Sequence, residues 1–389
     1  MSLLKIYKNN IILVFNKTVL LINDVENICE FKLPENTPTE SGKPKKYFSD
    51  SEDDENEDEK NKTTKPSETD VKIVNLDICE KNDLIAFTTN DKSLYLCKIS
   101  AENTLEILSR RKLSRTSSCC RFSSSGEFLL LSDKGGDCYS FNTIDVKAPG
   151  KWILGHMSQV LDILIDDDEK YVITCDRDEK IRVTNFPNSH EIATFCLGHT
   201  EFVSAVEFLP QNKEILISIS GDMKLKFWKF IDGKCIHSVD LKLPATKFCI
   251  HKINETESLI AILSYEPQTI FIYRIGNSSE TIKSTFIQEI TLDSNQFATS
   301  FVFGSNFDLH ILFVDKNENK LELIKYKNEN LSSFSRVEDD PLISHVKKVY
   351  FKSVDANYVD NVSTLFKKKF ENIKDYHERK KIRMEEKNN

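Results

Sequence analysis

Two sets of residues in this 389-residue chain have the types that acyl-transfer chemistry uses. His199, Ser218 and Asp222 offer a base, a hydroxyl nucleophile and a carboxylate to orient the base, and His156, Thr174 and Asp178 offer the same three roles. A catalytic triad is needed only once, however, and no Gly-x-Ser-x-Gly turn surrounds Ser218. Two copies at nearly constant spacing point instead to a structural repeat, in which a buried histidine, hydroxyl and carboxylate satisfy one another. Trp228 adds an N–H donor to the later set, whereas Thr184 stands at the matching place in the earlier one. Asp178 is expected to bond His156, as Asp222 bonds His199.

Other chemistries find less support. The ten cysteines include no Cys-x-x-Cys pair, and most lie in apolar runs such as Tyr95-Leu96-Cys97. That pattern reads as small buried hydrophobes in a reducing compartment, not as zinc ligands or disulfides. No glycine-rich strand-to-helix turn is present to cradle a dinucleotide-like cofactor. No catalytic residue, no metal and no cofactor are therefore expected on this chain.

The elements that position these residues are short strands. Runs such as Ile11–Phe15, Ile73–Ile78, Leu84–Thr88 and Phe128–Ser132 are separated by polar turns, and no useful helical period appears before residue 360. Gly155-His156 and Gly198-His199 lie 43 residues apart, and Asp178 and Asp222 lie 44 apart. A period of about 40–45, opening on Gly-His and closing on Asp and then Trp, is the WD-repeat pattern. The fold class is thus all-β, a seven-bladed WD-repeat β-propeller. Its blades are read at 10–33, 71–110, 111–150, 151–197, 198–243, 244–294 and 295–340, with the strand at 3–7 expected to complete the last blade and close the ring.

Charge divides the chain further. The total is −8, which excludes a uniformly basic nucleic-acid binder. Residues 35–70 carry twelve acidic and six basic side chains and almost no large apolar ones, so they are expected to form a disordered acidic loop between residues 1–34 and the propeller remainder at 71–362. Residues 363–389 carry nine basic and five acidic side chains, with Phe366, Phe370, Ile373 and His377 at helical spacing. They are expected to form a basic amphipathic helix whose Lys367, Lys368, Lys369, Arg379, Lys380, Lys381 and Arg383 could meet phosphates. Lysines interrupt the N-terminal apolar stretch and no apolar run reaches about 18 residues, so neither a secretory signal nor a membrane span is expected.

Two strings carry more than the repeat requires. Asp176-Arg-Asp-Glu-Lys-Ile-Arg182 and Cys196-Leu-Gly-His-Thr-Glu-Phe-Val203, with Trp152-Ile-Leu-Gly-His156 before them, closely resemble the non-catalytic WD-repeat subunit of the eukaryotic tRNA guanine-N7 methyltransferase, the family called wuho in flies. The close match covers about a quarter of the chain. The resemblance implies a scaffold that binds a separate catalytic subunit as a heterodimer. That subunit holds S-adenosylmethionine and methylates N7 of a guanosine in the tRNA variable loop, and tRNA is contacted through the complex. It also implies a nuclear site, and it places the partner contact at Arg177, Lys180, Arg182, Glu201 and Phe202. Ile181 is expected to pack between blades, with Lys180 and Arg182 on the opposite side of the strand. A generic WD-repeat adaptor, such as a ubiquitin-ligase substrate receptor, is the competing reading. A propeller-borne hydrolase is the weakest, since no acid pair or metal cluster recurs from blade to blade.

Overall fold

The second strands of the sheets explain how the ring is built. Ile12-Leu13-Val14-Phe15 and Leu129-Leu130-Leu131 are apolar at every position and buried at every position. Side chains alternate between the two faces of a strand, so such runs serve two apolar surfaces at once. Ile12 and Val14 face one neighbouring sheet while Leu13 and Phe15 face the other. Leu129 and Leu131 divide from Leu130 in the same way.

In a computed structural model, which describes residues 2–34, 71–278, 281–352, 354, 359–367 and 380, these surfaces belong to seven four-stranded antiparallel sheets. Each sheet is a meander of consecutive strands, and each is one blade: 2–32, 73–112, 117–155, 160–196, 203–240, 245–291 and 296–337. One apolar cluster fills each of the seven seams between neighbouring blades. Burial fades outward: Ile173 and Ile217 are fully buried in second strands, while most of Ile192–Cys196 and Lys234–Asp240, both outermost, meets solvent. Six of the ten cysteines are buried, and Cys235, on an outermost strand, is exposed.

The first strands of the blades surround the centre, and polar bonds run between them from seam to seam. Lys5 meets Asp77 at 3.4 Å, and Asp77 also takes the Phe122 N–H at 2.8 Å. Arg121 reaches Asp162, whose Oδ2 accepts the Val206 N–H. Ser204 donates to the Ala245 carbonyl, and Lys247 to the Thr299 carbonyl. Ser300 completes the circuit by accepting the Leu4 N–H at 3.0 Å and donating to the Leu4 carbonyl at 3.2 Å.

Closure differs from the sequence-based expectation. The strand Ser2–Tyr7 pairs with Asn10–Phe15 inside the first blade and does not complete the last one. The last blade has its own fourth strand, Ser333–Val337, so no place is left for a borrowed one. The seam between the seventh and first blades is covered instead by a helix, Pro341–Val346, and the π-helical turn Lys347–Phe351 that continues it. Ile343, Val346 and Phe351 are buried there, and Phe351 meets Phe15 edge-on at 5.8 Å. Lys347 adds an ion pair to Glu322 at 2.6 Å. Six residues are too few for a helical period to register, but Asp340-Pro341 is a helix-start signal: Asp340 accepts the N–H groups of Leu342 and Ile343, and proline needs no partner in the first turn.

The acidic segment 35–70 lies outside the described residues. It joins the first blade to the second and interrupts neither. Beyond Asp360 the chain forms a second unit, in which residues 363–365 make a turn and do not begin a helix.

Candidate functional site: the turn face of blades 4 and 5

At one end of each blade the second strand turns into the third, and the outermost strand passes to the next blade. On this turn face the Gly-His connections are tied down. His199 Nδ1 lies 2.8 Å from Asp222 Oδ2, and its Nε2 lies 2.7 Å from Ser218 Oγ. Trp228 donates its indole N–H to the same Oγ at 2.8 Å. Asp222 orients the ring, Ser218 gives its proton to Nε2, and Trp228 occupies the remaining acceptor position. His199, Ser218 and Trp228 are buried, so no substrate atom reaches the hydroxyl. Burial pushes the Asp222 carboxyl up, but the bond from His199 and the Thr200 N–H outweigh it and leave it below the ordinary carboxylate range. The residues that resemble a catalytic triad are internal fastenings.

The fourth blade repeats the device with one correction. His156 Nε2 lies 2.8 Å from Thr174 Oγ1 as expected, but Nδ1 bonds Asp176 at 2.9 Å and not Asp178. Asp178 is exposed, and its N–H donates to Asp176 Oδ1. In the fifth blade the matching position is Ser220, too short to reach the histidine. Ser220 keeps only the second task, accepting the Asp222 N–H, and leaves the ring to Asp222. Where Trp228 stands in the fifth blade, Thr184 is buried with no hydrogen-bond partner for its hydroxyl.

Arg182 also turns inward. It donates from Nη1 to the Gly155 carbonyl at 3.1 Å, and Lys226 donates to the Gly198 carbonyl at 2.6 Å. The two residues are 44 apart, one repeat, and each clamps the Gly-His connection that leads into its own blade. Burial lowers the Arg182 pKa, and its Nε is enclosed without a partner. Ile181 packs in the seam between the fourth and fifth blades as expected.

Phe202 is a second correction. It is fully buried, and a Cβ on Gly221 would come within 2.4 Å of its ring, so it is a core residue beneath the turn and not a contact. Glu201 is half-buried, and its carbonyl accepts the Ser220 hydroxyl. Arg177, half-buried, and Lys180, exposed, remain at the surface of the Asp176–Lys180 turn. Sequence reasoning missed their apolar neighbours on the same face: Met157 is wholly exposed, Leu197 is 64% exposed and Met223 is 44% exposed. The available signal was an apolar residue directly beside each Gly-His pair and after Asp222, in connections otherwise polar. A face that sets solvent-facing Met and Leu beside Arg has the composition of a protein-binding surface.

Of the C-terminal basic residues, Lys367 and Lys380 are exposed, Lys380 in helical conformation. Lys368, Lys369, Arg379, Lys381 and Arg383 lie outside the described residues.

Known proteins fit this picture. The family described as tRNA methyltransferase TRM82 WD40 domain matches residues 24–151 and 143–338. A protein of Aedes aegypti named tRNA (guanine-N(7)-)-methyltransferase non-catalytic subunit wuho is 41% identical, over 99% of this chain and 98% of its own length. Proteins with the same name from Culex quinquefasciatus and Drosophila melanogaster are 40% and 36% identical, covering 100% and 82% of this chain and 98% and 76% of their own lengths. A chain in the solved structure titled "Crystal Structure of Mitotic Checkpoint Complex" superposes with a TM-score of 0.59 over 87% of both chains, and at 12% identity it shows the fold alone. With its turn-face chemistry internal and its likeness extending from end to end, the chain belongs to the family of tRNA (guanine-N(7)-)-methyltransferase non-catalytic subunits.

Proposed function

We propose that this chain is the scaffold that binds and stabilises the catalytic subunit of a tRNA guanine-N7 methyltransferase, as one half of a heterodimer acting in the nucleus. One observation carries the reading: both the His156 and His199 sets are consumed in fastening a blade, while the turn face above those sets presents Met157, Arg177, Lys180 and Leu197 to solvent. Chemistry then belongs to the partner, and so does S-adenosylmethionine. The tRNA is met in the assembled complex, with Lys367 and its basic neighbours as one source of phosphate contacts.

The test is co-expression with a candidate catalytic subunit, followed by tRNA N7-methylation with each subunit alone and both together. Activity is expected only where the catalytic subunit is present, and to rise strongly with the propeller. Stoichiometric, tight binding of S-adenosylmethionine to the isolated propeller would overturn the reading. Imaging of a tagged chain tests the nuclear site.

A further inference from the structure

Opposite the turn face, where first strands turn into second strands, the centre of the ring opens into a cavity of about 440 Å³. The first, second, sixth and seventh blades all contribute to it. Its size is that of a ligand site. It lies at the other end of the propeller from the turn that carries Arg177 and Lys180.

Two kinds of group line the cavity. Ile250, Val302 and Phe303 are apolar, Phe303 being buried and the other two half-buried. Lys5, Lys8, His251 and Ser305 bring hydrogen-bond donors to the same space. An ammonium has three donors. Lys5 gives one to Asp77 at 3.4 Å and Lys8 gives one to Asp83 at 2.8 Å, so both keep donors for a ligand, and neither carboxylate lines the cavity. The His251 ring packs edge-on against Phe307 at 5.1 Å, and among the described residues no hydrogen bond reaches it. Burial lowers its pKa, so near neutral pH the ring presents one N–H and one lone pair. Glu80 is the one acid among the described lining residues, and it is already engaged, its Oε1 accepting the Lys8 N–H at 2.8 Å.

Donors thus outnumber acceptors beside an apolar surface. The group that answers both is a carboxylate next to an apolar side chain, and a polypeptide C-terminus carries the two on one residue. A free apolar acid shares that chemistry but leaves the exposed rim of Lys8, Glu80 and Ser305 uncovered, whereas the residues before a C-terminus run outward across it.

We propose that this cavity captures the C-terminus of a further protein, one that ends in an apolar residue. Lys5 and Lys8 meet the carboxylate, His251 and Ser305 bond the last peptide unit, and Phe303 packs on the terminal side chain. The catalytic subunit and this ligand then occupy opposite ends of the propeller and do not compete. The inference goes beyond the methyltransferase reading and does not depend on it.

The experiment titrates the full chain, free and in complex with the catalytic subunit, with fluorescein-labelled hexapeptide pools. The pools are randomised at five positions and end in Leu, Ile, Val or Phe, each as the free acid and as the C-terminal amide. Expected is saturable binding of at least one free-acid pool, about tenfold or more tighter than its amide and weaker at high salt. Lys8→Gln/Ser305→Ala should weaken it by about tenfold or more at an unchanged melting temperature, and Lys8→Arg should keep it. Ser305→Trp, which fills the mouth of the cavity, should abolish it. Free chain and complex should bind the pool equally. Failure of every free-acid pool to bind at up to about 1 mM would overturn the proposal, as would equal binding of acid and amide. So would N-acetyl-leucine or N-acetyl-phenylalanine binding as tightly as the pools, which would make the cavity a small-molecule site. Loss of tRNA affinity by the Lys8→Gln/Ser305→Ala complex would assign the rim to RNA and overturn it too. If the wild-type chain fails to bind the catalytic subunit, the methyltransferase reading fails, and the free-chain titrations still decide the cavity.

Discussion

Asp176 and Asp178 stand two residues apart in one turn, and only the first reaches His156. This makes a sharp pair of variants. Asp176→Ala strands a buried histidine and should cost about 2–4 kcal/mol, as should Asp222→Ala in the next blade. Asp178→Ala should lie within about 0.5 kcal/mol of wild type. Chemical denaturation of the three proteins checks the order, and equal costs at 176 and 178 would contradict the assigned bonds. The same carboxylates set an acid limit. Both are held below the ordinary range, so their contribution is complete above about pH 4 and is lost as pH falls through their depressed values. The melting-temperature gap between wild type and Asp222→Ala should therefore narrow below about pH 4. The sequence made the repeat legible but not the choice between two acids. In the fifth blade Ser220 leaves only one acid able to serve, and copying that register onto the fourth blade selected the wrong one. Arg182 and Lys180 were legible as a pair on one side of Ile181, but not as different in kind. Arg182→Leu should lower the melting temperature of the isolated propeller by removing the clamp on Gly155. Lys180→Glu should leave that temperature unchanged and weaken binding of the catalytic subunit, as isothermal titration against it would show.

At the scale of elements, the second strands explain why the architecture could be read and its closure could not. A strand buried on both faces over most of its length has only one stable setting in an all-β chain, between two other sheets, and seven such strands in sequence make a ring. How the ring shuts depends on whether the last blade is complete. The alternating segment at 3–7 suits either an inner strand of the first blade or a fourth strand of the last, and the pattern alone does not separate them. The helix Pro341–Val346 with its π-helical turn was illegible as periodicity, yet it covers the 7–1 seam, across which Ser300 bonds Leu4. Phe351→Ala should then cost about 3–5 kcal/mol, the loss of a buried aromatic from the Phe15 contact. An exposed control on the same turn, Val349→Ala, should cost almost nothing. Similar costs at both positions, read from urea unfolding, would mean that the turn does not seal the seam.

For the whole molecule, the seven seams are the unit of stability, and in each of them described residues of two neighbouring blades form an apolar cluster. The chain leaves the first blade with the Leu33 N–H on the Lys17 carbonyl, and it enters the second with the Ile73 N–H on the Asn16 carbonyl. Exit and entry are thus fastened to consecutive residues of a single turn, and their own bonds hold them together whatever length of chain lies between. Deleting 36–68 leaves six residues, 34, 35 and 69–72, between Leu33 and Ile73, with a reach of about 20 Å, ample for two points bound to neighbouring carbonyls. A long loop also carries a modest entropic cost, about 0.6 kcal/mol for each doubling of length. The shortened chain should therefore melt at or slightly above the wild-type temperature and bind the catalytic subunit with unchanged affinity. Because twelve acidic and six basic side chains lie in 35–70, the deletion also makes the molecule less negative. Its affinity for tRNA in the complex should rise at low salt and converge with wild type at high salt. A marked fall in melting temperature would mean that the segment contributes packing to a blade. A fall in subunit affinity at constant melting temperature would place the segment in the interface.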